Sequence, residues 1–103
     1  MGLKDSALRS QRLRDSARGQ QCTLQIPGVC SQNPETTVLA HLDGEEKGVG
    51  LKVDDYLGCF ACSSCHSAID GHKLSLEEKL WYEHRALRRT LKRWVSMGLL
   101  VVR

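Results

Sequence analysis

The chain has 103 residues, 41% of them hydrophobic and only 5% aromatic, with a net charge of +3. That suits one small domain with a limited core, which gains from a structural staple, and no apolar run is long enough to span a membrane. Five cysteines in a chain this short need a reason, and their odd number fits poorly with a closed set of disulfides.

Charge is distributed unevenly. Residues 1–21 hold five basic and two acidic side chains, residues 22–72 two basic and seven acidic, and residues 73–103 eight basic and three acidic. An acidic centre between basic flanks suits a cation site set in a polyanion-binding surface. The start is arginine-rich but has no apolar signal core, so the expected compartment is reducing cytoplasm, where clustered cysteines usually mean metal.

Residues 5–17 are predicted to form a short helix capped by Asp5 or Ser6, with a thin apolar face around Ala7, Leu8 and Leu13. Residues 22–26 alternate as a strand does, and Pro27-Gly28 is a turn signal leading to Cys30. A second β-prone run covers Thr36 to Leu42, with His41 near its end. Residues 43–55, rich in glycine and acid, read as a loop, and Tyr56 to Phe60 is an apolar approach to the next motif.

Cys62-Ser63-Ser64-Cys65-His66 begins a helix that runs to about Asp70, with Gly71 as its stop. Ser75 and Glu78 form a capping box for a helix ending near Met97, with Gly98 beyond it. Its predicted apolar stripe is Leu80, Leu87, Leu91, Trp94 and Val95, widened by Trp81, and its opposite face carries Arg85, Arg88, Arg89, Lys92 and Arg93. Leu99 to Val102 could form a short terminal strand.

The strongest chemical signal is Cys22-x7-Cys30 with Cys62-x2-Cys65. Zinc takes four ligands tetrahedrally, and thiolates suit a closed structural site. A redox CxxC would want a βαβ context that is missing. Cys59 also stands x2 from Cys62, so a different pairing is open; Cys62 and Cys65 are favoured because Cys65 joins directly to His66, which leaves Cys59 as a small buried apolar residue.

His66 and Asp70 stand one helical turn apart, so both side chains share a face, either as ligands of a divalent cation or as a surface hydrogen bond. His41 can activate water near neutral pH, or be a packed strand histidine.

Taken in order, a cysteine pair, a strand ending in histidine, a CxxC running straight into histidine and a carboxylate one turn later resemble the zinc-containing HNH nucleases. Closer still is a group of small phage and prophage proteins regarded as nucleases. The shared text is Arg18-Gly19, Cys22, Ile26-Pro27-Gly28-Val29-Cys30, Asn33-Pro34-Glu35-Thr36, Val38-Leu39-Ala40-His41, Ala61-Cys62-x2-Cys65-His66 and Ile69-Asp70, followed by the Trp94 helix closed at Gly98. The resemblance implies an α+β fold: a zinc-stapled ββα-metal core over 22–72, a basic N-terminal segment over 1–21, and a basic helix and tail over 73–103 packed on the core.

It further implies a metal-dependent endonuclease acting on DNA. Cys22, Cys30, Cys62 and Cys65 would hold structural zinc. His41 would be the general base, and His66 and Asp70 would hold a catalytic Mg²⁺, Mn²⁺ or Zn²⁺. Asp55 occupies roughly the place of the residue that orients the base, with Asp54 and Asp43 close by. Arg85, Arg88, Arg89, Lys92, Arg93 and the N-terminal arginines would contact phosphates, with weak sequence preference, and the protein would work in the cytoplasm of a bacterial host. The chain departs from the family at Ala40, where many HNH enzymes carry a metal-binding aspartate, and at Asp70, where histidine is usual; fewer protein groups would then hold the cation, with water or phosphate completing it. The rival reading is a non-catalytic zinc module that binds nucleic acid or a protein. A zinc deaminase is excluded because its His-x-Glu element is missing.

Overall fold

Two short strands pair antiparallel at the centre: β1, Val38–His41, and β2, Gly58–Ala61. The computed structural model describes residues 8–42 and 53–103. Around the strands lie α1 (Gln11–Asp15), a 3-10 turn at Pro34–Thr36, α2 (Ser63–Asp70) and α3 (Leu76–Ser96). The fold is thus a small α+β arrangement with a two-stranded sheet. The loop expected over 43–55 lies outside the described residues as far as residue 52, as do the expected caps Asp5 and Ser6. Among the described residues, no helix is long and apolar enough to cross a membrane.

Alternation along the strands sorts their side chains onto two faces. Ala40, Cys59 and Ala61 join a core with Cys22, Leu24, Ile26, Cys62, Cys65, Ala68 and Ile69. Leu39 and Phe60 face Ala17, Leu13 and Trp94. Phe60 meets Trp94 edge to face, with centroids 6.0 Å apart.

The expected strand at 22–26 is not formed. Gln25 has a positive φ of 45°, which breaks extended backbone, and the carbonyls of Thr23, Leu24 and Gln25 accept from the guanidinium groups of Arg85 and Arg89 rather than from a neighbouring strand. The segment instead closes the outer edge of β2. Thr23 N–H donates to the Phe60 carbonyl at 2.7 Å, and Phe60 N–H donates to the buried Thr90 hydroxyl at 3.1 Å. A strand edge that would otherwise invite pairing is thereby satisfied.

Helix boundaries follow local chemistry. Ser10, not Asp5 or Ser6, caps α1, accepting Leu13 N–H on its hydroxyl. The capping box of Ser75 and Glu78 opens α3 as expected. Its end is a Schellman turn: Leu99 N–H donates to Trp94 O and Gly98 N–H to Val95 O, with Gly98 at φ +75°. That turn replaces the terminal strand expected over 99–102. The apolar stripe of α3 matches expectation at Leu87, Leu91 and Trp94 and departs from it elsewhere. Glu83, Ala86, Thr90 and Trp94 are buried, with Leu87 and Leu91 half-buried beside them, while Leu80, Trp81 and Val95 stand in solvent. Contact with the β2 edge selects Thr90, and Trp94 pins the register by donating its ring N–H to Ser16 at 2.8 Å.

Candidate metal centre and active site

The four cysteines singled out by spacing converge. Their sulfur atoms all lie within 4.8 Å of one another, and Cys30 and Cys62 are 3.9 Å apart. Sulfur atoms tetrahedral about zinc at about 2.3 Å would stand roughly 3.8 Å apart, so the set can hold a metal such as zinc. Two local devices build it. Pro27 followed by Gly28 at φ +73° has the type II turn pattern, and the Ile26 carbonyl accepts both Val29 N–H and Cys30 N–H, which folds Cys30 back towards Cys22. Cys62 then caps α2, accepting Cys65 N–H on its sulfur at 3.4 Å.

Burial alone would raise the Cys62 thiol, but the Ser31 hydroxyl and the N–H groups of Cys65 and Ser31 outweigh it and hold the group down to about 6. Cys30 and Cys65 are raised, chiefly by burial. Of these three, Cys62 is the one held towards the thiolate form. Cys59 stands outside the quartet. It is fully buried, and burial pushes its thiol up to about 12, which suits the small apolar residue expected there.

A second constellation sits at the end of β1. His41 Nε2 lies 2.9 Å from Asp55 Oδ1. The other carboxylate oxygen of Asp55 accepts Ser10 N–H at 2.6 Å and Arg14 Nη1 at 2.7 Å, with Arg9 Nε at 3.8 Å. Asp55 is fully buried, which by itself would raise its carboxyl, but Ser10 N–H, the His41 contact and the charges of Arg14 and Arg9 together leave it lowered. An ionised carboxylate only accepts, so a neutral His41 ring carries its hydrogen on Nε2 and keeps a lone pair on Nδ1. Of the nearby acids, Asp54 turns instead to Leu8 N–H, and Asp43 lies outside the described residues.

His66 Nε2 and Asp70 Oδ2 are 3.2 Å apart on α2. They and the His41–Asp55 pair are not drawn into one ligand group: among the described residues, the cysteine quartet is the one set of three or more His, Cys, Asp or Glu side chains close enough to hold a metal. Strand alternation puts His41 on the Leu39 face, towards α1, whereas α2 packs through Ala68 and Ile69 on the Ala40 face.

The basic residues divide. Arg85 and Arg89 brace the 23–25 segment, and Arg93 donates to Gln20 at 3.3 Å, while Arg88 and Lys92 are exposed. Arg14, expected among the phosphate contacts, is committed to Asp55. Sequence reasoning missed Ser10 and Arg14 as the supports of Asp55. Nothing local marks them, because the contact joins residues 41 and 45 positions apart.

Residues 11–99 match the family model described as "Putative nuclease YbcO". Over 59 residues, the chain is 51% identical to proteins of that description from Escherichia coli strain K12 and from Enterobacteria phage 82. That match spans 56% of this chain and 62% of the length of each relative. A solved structure described as "a putative bacteriophage protein" from Escherichia coli K-12 superposes with a TM-score of 0.72 at 36% identity, covering 84% of this chain and all of the other.

Proposed function

The chain belongs to the family described as "Putative nuclease YbcO", and from that premise we propose that it is an HNH-type endonuclease that hydrolyses DNA phosphodiester bonds with His41 as general base. The observation that carries the reading is the His41–Asp55 pair: a histidine at a strand end whose Nε2 lies 2.9 Å from a buried carboxylate. With the ring hydrogen on Nε2, Nδ1 is the atom that would accept a proton. The order β1, β2, α2 supports the reading, being the two strands and a helix that the resemblance implies.

In this reading residues 22–72 form the core, stapled by zinc at Cys22, Cys30, Cys62 and Cys65, and residues 1–21 and 73–103 are its basic flanks. His41 Nδ1 takes a proton from the attacking water. Asp55 fixes the ring and stabilises the imidazolium as it forms, as orienting carboxylates do. His66 and Asp70 would hold the divalent cation. Two donors at right angles about 2.1 Å from such an ion stand roughly 3.0 Å apart, close to the 3.2 Å separation of this pair. When bound there, the cation would neutralise the scissile phosphate and stabilise the leaving oxygen. Arg88 and Lys92 attract the backbone, with little dependence on sequence.

One specific observation favours a second reading, a non-catalytic zinc module. Among the described residues, no third His, Cys, Asp or Glu joins His66 and Asp70 as a ligand group, and Ala40 supplies no ligand from β1. Cleavage of supercoiled plasmid separates the two. Zinc-loaded protein stripped of other metals should nick on addition of Mg²⁺ or Mn²⁺, and His41→Ala should lower the rate about 10²- to 10⁴-fold. A folded wild type that nicks no form of DNA would establish the binding module instead.

A further inference from the structure

Trp81 is the residue whose position differs most in meaning from its place in the expected stripe. It is 58% exposed, although a tryptophan on a helix is ordinarily covered. Its neighbours along the helix face, His84, Arg85, Arg88, Arg89 and Lys92, line with it an open cavity of about 360 Å³. These positions recur every three or four residues from 81 to 92, so one face of α3 carries an aromatic ring at one end and cations along the rest.

The ring is held in place. The Arg85 guanidinium carbon lies 4.8 Å from the Trp81 ring centroid, and Tyr82 meets Trp81 edge to face at 5.2 Å. Arg85 is itself anchored, donating to the Leu24 carbonyl at 2.7 Å. A rigid indole is thereby presented with little further ordering to do on binding. The cavity is continued by a second one of about 360 Å³ that shares Arg89 and Lys92 and adds Gln21, Thr23 and Arg93. The ring is too exposed to serve the core, and the cations beside it would repel a second copy of the same face.

We propose that this face of α3 is a stacking site for an unpaired nucleotide, the base lying on Trp81 and its phosphates on Arg88 and Lys92. A π surface beside a line of positive charge complements a flexible strand carrying one base and one charge per unit, and a paired base inside a duplex cannot offer its face. The inference rests on the nucleic-acid reading above and narrows it. The substrate contains single-stranded character, as a gap, flap or branch does, and α3 selects it by stacking.

Binding in excess chelator of the weakly held cations, with zinc retained, tests this apart from cleavage. Fluorescence titration of the folded protein with a thymidine oligonucleotide, a uridine oligonucleotide and a DNA duplex of equal length should quench Trp81 with both single strands and much less with the duplex. Trp81→Ala should weaken single-strand binding about tenfold or more, and Trp81→Phe should restore part of it. Arg88→Ala should lower the slope of log affinity against log salt by about one. Equal single-strand affinity in wild type and Trp81→Ala would overturn the proposal, even if plasmid nicking is intact. A wild type that self-associates through Trp81, seen as a dimer lost in Trp81→Ala with oligonucleotide affinity unchanged, would also overturn it. Trp81-dependent binding with no nicking would leave this site standing while the nuclease reading fell.

Discussion

Asp55 Oδ1 and His41 Nε2 lie 2.9 Å apart, and the partners of Asp55 come from two regions of the chain that are remote from it and from each other. His41 ends β1, while Ser10 and Arg14 belong to the N-terminal segment and α1. The carboxylate therefore joins α1 to the sheet as well as orienting the histidine. Its removal should cost both fold and chemistry, and the two losses can be separated.

The fold cost is read through acid. Because Asp55 is held below its ordinary value, its contribution to stability is complete above the unfolded carboxylate value of about 3.9 and is lost as pH falls through the lower, folded value. Wild type should therefore lose urea resistance more steeply than Asp55→Asn below about pH 4, because the variant has no such group to protonate. Asp55→Ala should be less stable by about 1–3 kcal/mol at pH 7, since it leaves Ser10 N–H and the His41 ring without their acceptor. The chemical cost appears in Asp55→Asn. An amide can turn its NH₂ towards Nε2 and shift the ring hydrogen to Nδ1, so nicking should fall at least a hundredfold while zinc content stays at the wild-type level. Parallel acid limbs for wild type and Asp55→Asn would show that the carboxylate carries no linkage.

The cysteine quartet should hold the fold together. Metal affinity at such a site is folding free energy, of the order of 10 kcal/mol in small zinc domains, which rivals the whole stability of a domain of this size. Prolonged treatment with a strong chelator should therefore unfold the protein cooperatively, with loss of near-ultraviolet dichroism. Cys62→Ser should give protein with no stoichiometric zinc. Cys59→Ala, one CxxC step upstream, should retain one zinc per chain, since Cys59 lies outside the quartet. Metal analysis of the two variants decides whether Cys59 can stand in as a ligand.

That quartet was legible because cysteine spacing and turn chemistry are local signals: Pro27-Gly28 and the CxxC helix start each specify their own geometry. The capping box of α3 was legible for the same reason. The strand expected at 22–26 was not formed because its carbonyls are taken by the side chains of Arg85 and Arg89, more than sixty residues away. The buried face of α3 was found at Leu87, Leu91 and Trp94 but blurred by Trp81 and Leu80, whose apolar character outweighs Thr90 in any periodicity count. Thr90 is buried because one backbone N–H of β2 needs an acceptor, and no pattern of hydrophobicity reports that need. Asp55 could be placed beside His41 only through the resemblance, and its support by Ser10 and Arg14 was invisible.

Gly58 tests how closely the position of His41 depends on the strand pairing. It sits opposite His41 in the ladder, and a Cβ at this position would lie 2.9 Å from both the Ala40 carbonyl oxygen and Leu39 Cδ1. The leucine side chain can rotate, but the carbonyl belongs to the backbone of β1 and can yield only by moving the strand. Gly58→Ala should therefore cost about 1–3 kcal/mol as an overpacking change. It should also displace the end of β1 away from β2, lengthening the His41–Asp55 contact and lowering nicking at least tenfold with zinc retained. Adding Leu39→Ala relieves the side-chain clash alone, so the double variant should recover little activity. Full recovery would mean that the leucine carries the strain and that His41 tolerates the altered ladder. Continued loss would assign the effect to the Ala40 carbonyl, and so to the backbone that aims the histidine.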